Sequence, residues 1–155
     1  MDIRDTLTPE NARNLRTMCA YLWSGKLIAA FDMGLFSNGV GHECGTVGCV
    51  LGHAASVIGR SAREGWIGFS DRAFGLRAFG SSHSANCWAW CFSCAWKGTD
   101  NTPHGAASRI EWMLERGLPA DWERQMYGKS PLCYQQSSLP VREEATSDSQ
   151  LAIAK

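Results

Sequence analysis

The chain lacks any excess of charge: 15 Lys and Arg stand against 15 Asp and Glu in 155 residues, and the pI is near 6.9. Proteins held on DNA or on an anionic membrane by bulk attraction need a basic surplus, so strong direct nucleic-acid binding is not expected here. Partners must then be recognised by shape. An apolar run long enough to cross a bilayer is also missing. The longest weakly polar windows, 44–58 and 85–96, are broken by Gly, His, Asn or Ser and fall short of the roughly 20 residues that a span requires. No apolar stretch of secretory length precedes the charged segment from Glu10 to Arg16, which leads us to expect a soluble, cytoplasmic protein with no membrane partner. Neither a Walker-type phosphate loop nor a Gly-x-Gly-x-x-Gly turn occurs.

What the chain does have is sulfur and indole, with seven Cys and seven Trp among 45% apolar residues. That is enough to build one buried core in a chain of single-domain length. An odd number of Cys without an export signal favours reduced thiols over a disulfide framework.

Thr8-Pro9 reads as an N-cap followed by a first-turn proline. Leu15, Met18, Cys19, Leu22 and Trp23 then recur with helical spacing, and Ser24-Gly25 closes the stripe. Thr102-Pro103 repeats the start signal, followed by Ala106, Ala107, Ile110, Met113 and Leu114, with Gly117 and Pro119 as the stop. Val47, Val50, Leu51, Ala54, Ala55 and Ile58 predict a central helix over 45–59, with Cys44 near its N-terminus. Gly45, Gly48 and Gly52 share another face, which close backbone packing would compensate. Gly65 to Ser70 reads as a short strand, with Ser70-Asp71 capping a helical turn through Phe74. Ala85 to Trp96 fits either a buried helix or a strand, and Ala120 to Met126 a brief helix. The expectation is a mainly α, compact single-domain helical fold over 6–128, one that leaves open a small β-hairpin or strand pair. A polar C-terminal tail, 129–155, follows.

Three clusters bear on chemistry. His42, Cys44, Cys49 and His53 place four zinc-competent groups within twelve residues, Cys49 and His53 one helical turn apart. The His-x-Cys-x4-Cys-x3-His spacing is not a common zinc-finger pattern, so no cofactor is expected and zinc is the alternative. Cys44 at a helix start is also a candidate nucleophile, since the helix dipole favours a thiolate there. The Cys44-Gly45 pair resembles papain-like peptidases, which need a later His, and His83 and His104 are the later candidates. Cys87, Cys91 and Cys94 have the Cys-x3-Cys-x2-Cys spacing of radical S-adenosylmethionine enzymes, which is equally one face of a buried helix. Finally, Arg60, Arg63, Arg72 and Arg77 interleave with Trp66, Phe69 and Phe74, a pattern able to stack single strands but more simply a solvated face.

The run from Cys44 to Ala54, Cys-Gly-Thr-Val-Gly-Cys-Val-Leu-Gly-His-Ala, is followed by Thr102-Pro103, Ala106-Ala107, Arg109-Ile110 and Gly117. Over about residues 30–120 this resembles small uncharacterised proteins of bacteriophages and bacterial genomes. The resemblance implies a mobile-element origin and a bacterial host cytoplasm, and it supplies no activity or catalytic residue. The leading expectation is a non-enzymatic accessory or inhibitor that binds a bacterial host protein or complex, such as a CRISPR-Cas defence system. A thiol- or zinc-dependent enzyme using Cys44, Cys49, His42 and His53 is the rival. Trp and Arg, abundant here, are the side chains that concentrate binding energy at interfaces.

Overall fold

A computed structural model describes residues 2–28, 30–34, 49–59, 65–79 and 82–136. Helix α1 (Ile3–Thr6) is followed by α2 (Pro9–Trp23), α3 (Val50–Val57), α4 (Gly65–Phe74) and α5 (Ser82–Phe92). A 3₁₀ turn (Cys94–Gly98) then leads to α6 (Pro103–Arg116), α7 (Trp122–Met126) and α8 (Cys133–Gln136). The described residues are mainly helical and contain no strand.

Two helices frame the core, and both begin as their sequences dictate. Thr8 caps α2 by accepting the Asn11 N–H, while Asn11 reaches back to the Thr8 backbone, so two orphan donors of the first turn are satisfied. Thr102 caps α6 through the Gly105 N–H, with Pro103 at the first helical position. Gly117 ends α6 at φ +78°, a left-handed backbone that L side chains rarely adopt. Leu15, Met18 and Leu22 of α2 and Ala106, Ala107, Ile110 and Met113 of α6 have no exposed surface. These faces make α2–α6 the principal helix pair, with α4 and α3 against α2 and α5 against α6.

The central helix starts later than its sequence predicts. Cys49 occupies the N-cap with an extended backbone, so α3 opens at Val50; Cys44 and two of the three face-sharing glycines, Gly45 and Gly48, lie outside the described residues. The predicted strand over 65–70 is corrected outright, because Gly65–Phe74 is one helix. Phe69, Ser70, Ala73 and Phe74 are its buried face, the i, i+1, i+4, i+5 spacing of a helix. Two glycines among aromatics imitate strand punctuation there, and packing against α2 overrides them. No strand pair forms among the described residues. The ambiguous segment 85–96 resolves into α5 and the 3₁₀ turn, divided by Ser93 in an extended conformation.

Packing continues past residue 128. Tyr134 of α8 is 6% exposed and belongs to the core, with Leu132 and Cys133 against it. Residues 137–155 of the predicted tail are outside the described set.

Candidate functional site

Of the four predicted zinc-competent residues, the structure describes Cys49 and His53; His42 and Cys44 lie outside it. Cys49 is buried at the N-cap of α3. Burial pushes its thiol up, and the Gly52 and Leu51 backbone N–H groups aimed at the sulfur offset this only in part. His53, one turn later, is 2% exposed. Its Nδ1 lies 2.7 Å from the Tyr21 hydroxyl and its Nε2 3.2 Å from the Ala30 carbonyl oxygen. A carbonyl only accepts, which assigns the proton to Nε2 and leaves Nδ1 to accept from Tyr21. The Tyr21 oxygen in turn accepts the Ile28 N–H at 2.9 Å. His53 therefore ties α2, α3 and the segment after α2 together, and metal ligation at either nitrogen would break one of these bonds. Among the described residues no three His, Cys, Asp or Glu side chains converge as a metal site.

The two later histidines have other neighbours. His83 lies on α5 with Nε2 3.8 Å from the Cys87 sulfur. Cys87 has no exposed surface, and burial, followed by the charge of Asp2, pushes its thiol up to about 12. A thiol held protonated in this way is a poor nucleophile at neutral pH. His104, at the start of α6, packs its ring 5.0 Å from that of Trp23.

The Cys87, Cys91, Cys94 spacing does not become a ligand face. Cys91 is buried, its thiol raised well above the ordinary value by burial, and it donates to the Met113 sulfur at 3.6 Å. The α-helix stops at Phe92, and the extended Ser93 carries Cys94 off the helical face into solvent. Of the arginine series, Arg60 and Arg63 are outside the described residues, and Arg77 pairs with Asp71 at 3.2 Å.

Thiol accessibility gives a direct check. Among the six described cysteines only Cys94 is exposed. Iodoacetamide should label Cys94 first and half-buried Cys133 more slowly, with Cys19, Cys87 and Cys91 reacting only on unfolding. Peptide mass mapping over time reads this order; early labelling of Cys91 would show that its burial is wrong.

Two features were missed by sequence reasoning. The first is a buried polar cluster. Arg109 of α6 is fully buried, its guanidinium 4.1 Å from the centroid of Trp96 and its Nη1 3.1 Å from the Tyr134 hydroxyl and 3.5 Å from Asp100 Oδ2. Tyr134 also donates to Asp100 at 2.9 Å, and Thr102 donates to the other carboxylate oxygen at 2.7 Å. Among the described residues Arg109 Nε and Nη2 have no hydrogen-bond partner. Burial pulls the guanidinium down from its usual range, opposed by Tyr134 and Asp100. Gly105 makes the cluster possible, because a Cβ there would overlap the Asp100 carboxylate. The signal was present in the sequence, since Arg109 sits one turn before Met113 and beside Ile110 on the inward stripe.

The second is a cavity of about 320 Å³ lined by residues of α3, α4 and α5 and by the loops at 33–34 and 93–94. Trp66 and Trp88 form part of its wall, their rings 5.2 Å apart. Cys49 and Cys94 both contribute to it. No family model, curated protein or solved structure matches the chain. The residues alone must carry the functional argument.

Proposed function

We propose that this chain is a non-enzymatic binding protein, a phage or mobile-element accessory that docks on a bacterial host protein in the host cytoplasm and blocks or redirects it, as inhibitors of defence systems do. The observation that supports this reading is the pair of exposed apolar side chains, one on α4 and one in the loop after it. Ile67 is 42% exposed and Phe79 69% exposed, and Trp66, next to Ile67, is half-buried against Trp88. Exposed large apolar side chains are the kind of anchor on which interface energy concentrates. The groups that a thiol or zinc enzyme would use are, where described, committed elsewhere: Cys49 is buried and both ring nitrogens of His53 are bonded.

The test is affinity capture from bacterial host lysate with the full chain, beside an Ile67→Asp/Phe79→Asp variant. Both positions are exposed, so the variant should fold. One stoichiometric host protein retained by the parent and lost from the variant is the expected result. Retention of none, or equal retention by the variant, would overturn the assignment of this surface. Stoichiometric zinc or iron in the purified chain would favour the enzyme reading instead.

A further inference from the structure

The cavity beside α3 has a wall of one chemical kind. Met33, Leu51 and Phe92 are buried in it, Trp66 and Trp88 are half-buried, and the remaining side chains are those of Cys49, Ser93 and Cys94. None of these carries a formal charge. Several polar groups in the wall are already engaged: Trp88 Nε1 donates to the Ser70 hydroxyl at 3.0 Å, the Gly34 N–H to Asp32 at 2.8 Å, and the Ser93 oxygen accepts from the Ala95 N–H at 3.2 Å. A ligand bearing a charge or several hydrogen-bonding groups would be desolvated there without compensation. Rings and sulfur favour a flat, polarisable guest instead, since Trp88 packs at 5.2 Å from Trp66 and edge-on at 5.9 Å from Phe92.

Size narrows the class further. An apolar cavity of about 150 Å³ holds one benzene ring. The volume here, about 320 Å³, is roughly twice that. Cys94 is the exposed member of the lining and so marks the mouth, with buried Cys49 within.

The geometry points to a binding site for a small neutral two-ring aromatic molecule, of naphthalene or indole size, entering past Cys94 and held between the Trp66–Trp88 pair and the buried side chains of Met33, Leu51 and Phe92. This goes beyond the protein-binding surface proposed above and does not depend on it. The Cys94 thiol reports on occupancy because a seated guest shields it.

Naphthalene is the probe, applied to the full chain, with 2-naphthoate as its charged twin. At a naphthalene concentration ten times the dissociation constant, about one site in eleven stays open, so Cys94 alkylation should slow about tenfold and the thermal unfolding midpoint should rise. A Cys94→Trp variant places an indole at the mouth and should lose the thermal shift, while Cys94→Ser should keep it. 2-Naphthoate should give neither effect. The assignment is overturned if naphthalene at aqueous saturation leaves both readouts unchanged, if 2-naphthoate matches it, or if Cys94→Trp responds like the parent. None of these outcomes touches capture of a host protein through Ile67 and Phe79, so the two readings fail separately.

Discussion

As pH rises above 9 the folded state should lose stability steeply, two buried thiols each contributing on the order of 1 kcal/mol per pH unit. Cys87 and Cys91 have no exposed surface, and burial raises Cys87 to about 12 and Cys91 well above its ordinary value of 9.0. In the unfolded chain both thiols ionise near that ordinary value, whereas in the folded chain they keep their protons. Because the folded value is the raised one, the stability is fully present below pH 9 and drains away as pH climbs toward the folded value. Tyr21 and Tyr134, also pushed up by burial, steepen the loss above their ordinary value of 10.0. Urea unfolding midpoints measured along this range read the slope. A double Cys87→Ala/Cys91→Ala variant, though less stable overall, should show a clearly shallower one; a parent profile that stays flat through the alkaline range would refute the account.

Replacing Arg109 by Ala should cost about 3–5 kcal/mol, the range for breaking a buried ion pair from one side. For a domain of this length that corresponds to a fall of roughly 10 °C in the unfolding midpoint. Two causes add. The Trp96 ring loses the guanidinium stacked 4.1 Å above it, and the Asp100 carboxylate, 8% exposed, loses its cation while keeping only the hydroxyl donors Tyr134 and Thr102. Removing both charges while keeping volume is a different perturbation. Arg109→Met combined with Asp100→Asn should therefore lose much less than Arg109→Ala, since among the described residues Arg109 Nε and Nη2 are already unbonded. Equal losses in the two variants would mean that the ion pair itself, and neither lost volume nor a stranded carboxylate, holds this part of the core.

How much of this was legible depends on the kind of signal. Helices α2 and α6 announce themselves twice, by a Thr-Pro start and by an apolar stripe, and the structure follows both. Helix α4 has no such agreement between levels: its glycines and aromatics mimic a strand, and only packing on α2 decides. Cys87, Cys91 and Cys94 keep their spacing in the sequence but lose their common face at Ser93, a backbone event that residue spacing does not encode. His53 looked like a ligand because His and Cys one turn apart can be one; its partners Tyr21 and Ala30 are 32 and 23 residues away and become visible only in the fold. The cavity was illegible for the same reason, since its wall draws on residues from Met33 to Cys94.

The bond from Arg4 Nη1 to the Glu115 carbonyl spans 111 residues, and that from Tyr134 to Asp100 spans 34. On a ribosome, which releases the chain from its N-terminus, that first bond thus waits for the end of α6. The guanidinium of Arg109 likewise waits for Tyr134 to emerge. Until then a cation and a carboxylate destined for the interior remain wetted, and the nascent chain can complete its core only after the stretch read as a polar tail has begun to be made.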